Sequence, residues 1–232
     1  MKSMDKPRLS ITKQATIGLG ALAVVMWLAL FLPAWTLNYW QGWIYWALFF
    51  SSVTAISVYF TKKDLTLIAN RLKAGPTAEK IRSQQVTQAF VSIFFILLLL
   101  IPPLDHHFQW SSVPAYAVLI SDAFVVLGLA TVFLVFRENS YTSAVIEVNK
   151  EQKVISTGPY SVVRHPMYSG AMLMLLFTPL ALGSFWGLLA FFPILAVICF
   201  RLLEEEKFLA KNLTGYSEYC KKTRYRLIPF VW

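Results

Sequence analysis

Two groups of polar side chains stand out in the C-terminal half of this chain. Residues 158–170 read G-P-Y-S-V-V-R-H-P-M-Y-S-G, placing Tyr160, Arg164, His165 and Tyr168 on a segment punctuated by proline and glycine. Further along, Arg201-Leu-Leu-Glu-Glu-Glu206 gathers one cation and three carboxylates. Gly158-Pro159 forces a turn, Pro166 biases His165 away from helical backbone, and Gly170 lets another group approach the main chain closely. In a helix Arg201 and Glu205 share a face, with Glu204 beside them and Glu206 turned away. Taken singly, the first group reads as a basic anchor among interfacial tyrosines. The second reads as a helix emerging into water on an ion pair worth only about 0.2–0.5 kcal/mol. Brought together, they would face one pocket with both signs of charge.

The elements that must position them are set by composition. Of 232 residues 57% are hydrophobic and 16% aromatic, while only 14% are charged, which is outside soluble composition and inside the membrane class. Apolar runs cover 16–35, 40–60, 86–101, 113–136 and 167–200. A spanning helix needs about 20 residues. The last run is too long for one helix and carries Gly183-Ser184 at its middle, between Pro179 and Pro193, so it reads as two short helices in a hairpin. That hairpin begins after the first polar group and ends before the second, returning both to the same side of the membrane. The expected fold is an all-α integral membrane protein of about six hydrophobic helices, the last two a short hairpin, with a cytoplasmic C-terminal helix. Residues 1–136 would hold four transmembrane helices and residues 137–232 the chemistry.

The net charge of +9 raises the possibility of nucleic acid, but the cations are scattered between spans rather than grouped on one soluble domain, so no nucleic-acid partner is expected. With a cytoplasmic N-terminus, all 21 Lys and Arg fall on one face: 4 in the N-terminal tail, 6 after the second helix, 4 after the fourth and 7 after the sixth. The opposite face then carries Asp105 as its sole formal charge. Trp35, Tyr39, Trp40, Trp43 and Tyr45 read as an interfacial aromatic belt. No small-residue cleavage site follows the basic start, so the first helix is expected to stay. Leu65, Ile68, Ala69 and Leu72 have the spacing of a helix lying on the membrane surface.

Other candidates carry less. Asp122 is the one charge well inside a span and would bind a head group or hydrogen-bond a neighbouring helix. His106 and His107 sit beside Asp105 but lack a third metal ligand, and a solvated loop explains them. Cys199 and Cys220 have neither a disulfide nor a metal-ligand pattern. The tail from Gly215 puts Tyr216 and Tyr219 near one another and ends at a Pro229 turn. It can fold back as an aromatic, basic lid, or be an ordinary amphipathic tail.

The succession G-P-Y-x-x-V-R-H-P-M-Y-x-G, R-x-x-x-E-E, Y-x-x-Y and R-L-I-P, over residues 137–232, resembles the C-terminal catalytic region of the isoprenylcysteine carboxyl methyltransferase family, including its bacterial members. The resemblance implies a multi-pass membrane methyltransferase of a bacterial inner membrane that uses S-adenosylmethionine on its cytoplasmic side and takes a lipophilic or lipid-attached acceptor from the bilayer. It implies that Tyr160, His165, Pro166, Met167 and Tyr168 line the cofactor pocket and that Glu205 holds the cofactor's amino group. Arg201 would face the methyl acceptor. Gln152, Lys153, Val154 and Ile155 fall where the family has another cofactor-contacting stretch, with Gln152 at a position usually held by His. The cofactor carries a sulfonium, an ammonium and a carboxylate, so Glu205 with Arg164 or His165 would supply the matching charges. Catalysis would then rest on Arg201 and Glu205. Two other readings stand beside this one. One is an NADPH-dependent sterol or enone reductase of related fold, although such proteins tend to carry an acidic residue where this chain has Ala171. The other is a non-enzymatic membrane protein whose polar groups are topology anchors.

Overall fold

The computed structural model describes residues 5–72, 82–142 and 153–232. In chain order its elements are α1 (Asp5–Ala34), α2 (Trp40–Lys63), α3 (Leu65–Leu72), α4 (Arg82–Phe108), α5 (Ala115–Glu138), a 3-10 turn (Gly158–Ser161), α6 (Pro166–Ala181), α7 (Leu188–Asn212) and α8 (Tyr216–Lys222). Every regular element among the described residues is helical. α1, α2, α4 and α5 are long and apolar enough to cross a membrane. α6, with 16 residues, is about 24 Å long and falls short of a hydrocarbon core of about 30 Å. It makes its depth together with α7 as a hairpin.

The hairpin turns where the sequence requires it. Gly183 takes a left-handed φ of +78°, closing the reversal that Ser184 continues. Pro179 and Pro193 do not bound the helices but lie inside α6 and α7. Pro166 opens α6, where its missing N–H costs nothing. α5 crosses α6 at two glycines. A Cβ on Gly128 would stand 2.6 Å from the Gly170 carbonyl oxygen, and one on Gly170 would stand 2.8 Å from that of Gly128. The close approach expected at Gly170 is thus made by the backbone of α5, and it fixes how α6 presents its first turn.

One end of the bundle carries the basic loops and the other the aromatic turns. At the aromatic end the structure corrects two expectations. Trp35, Trp40 and Trp43 are exposed as a belt requires, but Tyr39 and Tyr45 are core residues, 0% and 1% exposed. The Tyr39 hydroxyl donates to the Leu182 carbonyl at 2.6 Å, and Tyr45 shares a hydrogen bond with Thr178 at 3.1 Å. Asp105 is also not on a solvated loop. α4 continues through Pro102 and Pro103 to Phe108 and buries Asp105 completely. Its carboxylate accepts from the Ser111 amide at 2.7 Å and from the hydroxyls of Ser111 and Ser184, tying the α4–α5 connection to the tip of the hairpin. His106 stacks on Tyr39, with ring centroids 4.4 Å apart.

Asp122 is buried in α5, and neither carboxylate oxygen has a hydrogen-bond partner among the described residues. The expected surface helix is α3. Asp64 caps it, accepting from the Leu67 amide at 3.0 Å, and Leu67 is the residue it buries.

Candidate functional site

At the basic end, α4, α6 and α7 enclose a cavity of about 440 Å³ that the loop after α5 and the C-terminal tail complete. That volume lies in the range of small-molecule sites, about 300–1,000 Å³. Its walls include Lys153, Val154, Ile155, Tyr160, His165, Pro166, Met167, Tyr168, Arg201 and Glu205. The two polar groups do meet. Gln152 lies outside the described residues. Arg164 is not on the cavity wall.

At the centre the Tyr168 hydroxyl joins the two groups. It donates to Glu205 Oε2 at 2.8 Å and accepts from Arg201 Nε at 3.2 Å. Arg201 also donates to Gln84 Oε1 at 3.1 Å, so α4 helps aim a guanidinium carried by α7. A phenol can take both roles at once, which lets it hold a cation and a carboxylate in register. The expected i, i+4 relation puts Arg201 and Glu205 on one face, and Tyr168 sits against that face.

Glu206, facing away from the cavity, is the anchor of the loop. Its carboxylate lies 2.7 Å from Arg164 Nε in a close charge contact rather than an aligned hydrogen bond. It is also 2.9 Å from Arg226 Nε and 3.3 Å from His165 Nε2. Burial opposes its ionisation, but hydrogen bonds from His165 and Arg226 and the charges of His165 and Arg164 outweigh that and hold the carboxyl down to about 2. Arg164, expected as a cofactor cation, is therefore committed to Glu206. His165 both reaches Glu206 and faces the cavity. Glu204 pairs with Lys207 at the surface, 2.7 Å away.

The tail folds back. The Arg164 and His165 amides donate to the Tyr225 and Arg226 carbonyls at 2.8 and 2.9 Å, and the Ser169 hydroxyl donates to the Leu227 carbonyl at 2.6 Å. Tyr216 and Tyr219 are buried with Leu213 in a small core that Val154 and Tyr160 adjoin, and the Tyr219 hydroxyl donates to the Tyr160 carbonyl at 2.7 Å. The near end of the loop is fixed to α5. Gly158 takes φ +55° against the Glu138 side chain, Thr157 donates to Glu138, and Asn139 donates to the Tyr160 hydroxyl at 3.0 Å.

Among the lining residues that the sequence does not single out are Arg71 of α3, Gln88 of α4 and Asn139 at the end of α5. Arg71 lay in a helix read only for its apolar spacing. The paired Gln84-Gln85 at the start of a hydrophobic run was the available signal for α4. Ala171, the position that separates the two enzymatic readings, also lines the cavity. Among the described residues no group of three His, Cys, Asp or Glu side chains is placed to hold a metal ion.

The part of the chain that builds this site has known counterparts. Residues 116–215 match the phospholipid methyltransferase family. The match, just under half of the chain, runs from α5 through the loop and hairpin to the start of α8. Over 88 residues, 35% of this chain, the sequence is 34% identical to the Delta(14)-sterol reductase TM7SF2 of Mus musculus. Over 110 residues, 45% of this chain, it is 29% identical to the cobalt-zinc-cadmium resistance protein CzcN of Cupriavidus metallidurans. The matched segments span 20% of the first relative and 49% of the second.

Proposed function

We propose that this protein is an integral membrane methyltransferase that moves a methyl group from S-adenosylmethionine to a lipophilic acceptor. The observation that carries this reading is the Arg201–Tyr168–Glu205 array inside a cavity built largely by the segment that matches the phospholipid methyltransferase family. The residues present fit the cofactor. Glu205 offers a carboxylate for its ammonium. Tyr160, Tyr168, Tyr216 and Tyr219 offer aromatic faces suited to a sulfonium. Lys153 and His165 remain for its carboxylate now that Arg164 is held by Glu206. When bound, the cofactor would supply an electrophilic methyl group. The protein's part is alignment and electrostatics. Arg201, held by Gln84 and Tyr168, would orient the acceptor. If the acceptor is a carboxylate, no base is required. An amine acceptor must lose a proton, and Glu205 or His165 would take it.

In this reading the basic end of the bundle, with the cavity and tail, faces the cytoplasm, which the one-sided placement of Lys and Arg supports. Direct titration of the purified protein in lipid with S-adenosylmethionine tests the reading. Saturable binding that weakens in Glu205→Ala is the expected result, and no binding by the wild type would end it.

A second reading is kept alive by the sterol reductase relative: a nicotinamide-dependent reduction of a lipid enone. Ala171, where such proteins tend to be acidic, argues against it. Oxidation of NADPH in the presence of a lipid enone would reinstate it.

A further inference from the structure

The tail runs toward the bilayer as it crosses the loop. Its Tyr225 carbonyl accepts from the Arg164 amide at 2.8 Å, its Arg226 carbonyl from the His165 amide at 2.9 Å, and its Leu227 carbonyl from the Ser169 hydroxyl at 2.6 Å. Ser169 stands in the first turn of α6, the apolar helix that starts at Pro166. Each step along the tail is thus matched to a position farther along the loop and then into the helix. Residues 228–231 continue from this point, at the level where α6 enters the membrane.

What the tail presents there is apolar and firmly built. Ile228 and Val231 are exposed, and Phe230, 87% exposed, is the most exposed large apolar side chain among the described residues. They project from a closed turn rather than a loose strand. The Trp232 carbonyl accepts from the amides of Arg226 and Leu227 at 2.8 and 3.0 Å, the Trp232 amide donates to the Ile228 carbonyl at 3.1 Å, and the Arg226 guanidinium lies over the Trp232 ring. The turn holds Phe230 at a φ of +65°, in the left-handed region that bulky residues rarely adopt. Backbone strain of this kind persists only where the surrounding contacts impose it, and here it displays a phenyl ring outward. Residues 216–232 also carry four cations against the single carboxylate of Glu218, and Lys221, Lys222 and Arg224 among them are exposed. Apolar prongs beside exposed cations match the chemistry of an interface that is apolar below and anionic above.

We propose that the tip at 228–231 is a foot resting in the surface of the bilayer that the helices cross, with Ile228, Phe230 and Val231 among the acyl chains and Lys221, Lys222 and Arg224 on anionic head groups. The tail's attachment to the first turn of α6 favours a lipid surface over a soluble partner. The proposal is independent of the methyltransferase reading. It gives the tail a further fixed point, beside its hydrogen bonds to the loop and the pair between Arg226 and Glu206 at 2.9 Å.

The experiment attaches a nitroxide to Phe230→Cys in the full chain, in a Cys199→Ala, Cys220→Ala background, and reconstitutes it in vesicles of phosphatidylcholine with or without phosphatidylglycerol. Collisions with oxygen, which concentrates in lipid, are compared with collisions with a neutral nickel chelate, which stays in water. A label on Ser217→Cys, at an exposed position of α8, serves as the reference. In mixed vesicles the oxygen-to-chelate ratio at Phe230 should exceed that at Ser217 by about threefold or more, as for a side chain about 5–10 Å into the interface. Omitting phosphatidylglycerol should lower the ratio at Phe230 by about twofold or more, and Lys221→Gln, Lys222→Gln and Arg224→Gln together should abolish that dependence. A label on Val231→Cys should report the same depth, so the result does not rest on one variant. Equal ratios at Phe230, Val231 and Ser217 would put the tip in water and overturn the proposal. Poor access to both reagents with spin–spin broadening would assign the tip to a second copy of the chain and overturn it as well. A ratio indifferent to phosphatidylglycerol would refute the role given to the three cations.

Discussion

Glu206 and Glu205 are adjacent, yet the structure gives them opposite work, and Glu206→Gln separates the two. The Glu206 carboxylate is 13% exposed and holds Arg164, His165 and Arg226. Its pKa is lowered from 4.5 to about 2. At 1.36 kcal/mol per unit, that depression corresponds to about 3 kcal/mol of stabilisation. The figure agrees with the roughly 3–5 kcal/mol cost of leaving a buried charge without its partner. The loss should appear where the tail meets the loop, because Arg226 belongs to one and Arg164 and His165 to the other. The amides of Arg164 and His165, which donate to tail carbonyls, report that contact directly. Hydrogen exchange at these two amides should accelerate about a hundredfold in Glu206→Gln at neutral pH if the full 3 kcal/mol acts on tail opening. The sign with pH follows from a depressed carboxyl. Its contribution is complete above about 4.5 and is lost as pH falls toward 2, so wild type and variant should converge only in that acidic window. Unchanged exchange at Arg164 and His165 in the variant would refute the latch. Convergence already near neutral pH would refute the carboxylate as its source.

Other outcomes follow from the same contacts. Tyr168→Phe removes the hydroxyl between Arg201 and Glu205 and should weaken S-adenosylmethionine binding by about tenfold or more, measured by titration, with helix content unchanged. Gly170→Leu forces a side chain against the Gly128 carbonyl and should yield no monodisperse protein on size exclusion, whereas Gly18→Leu, which opens onto free space, should behave as wild type. Asp105→Ala frees Ser111 and Ser184 at the aromatic end. It should lower the melting temperature by the equivalent of about 1–3 kcal/mol without altering cofactor affinity at the opposite end.

The features legible in the sequence were those written by local chemistry. Apolar run lengths gave the long helices, and Gly183-Ser184 marked the hairpin because a left-handed turn needs glycine there. The loop at 158–170 announced itself through its prolines, and the return of its polar group toward Arg201 and Glu205 followed from hairpin geometry. Harder to read was anything decided by a partner distant in the chain. Arg71 reaches Met167 across 96 positions, and nothing local to α3 signals that contact. Arg164 and Glu206 look like free charges in sequence and become each other's counter-ions only when the hairpin closes. Asp105 lies past the apolar run 86–101 and so reads from sequence as part of an outer turn. Here α4 runs on, and Ser111 and Ser184 satisfy the carboxylate it buries.

Methyl transfer from the Arg201–Tyr168–Glu205 cavity to a membrane-borne acceptor, as proposed, is tested by incubating the purified protein in a lipid extract with methyl-radiolabelled S-adenosylmethionine. Label is expected in the lipid-soluble fraction and should be lost in Glu205→Ala and Arg201→Ala. Label that stays entirely on the nucleoside with the wild-type protein, across extracts of varied headgroup, would contradict it.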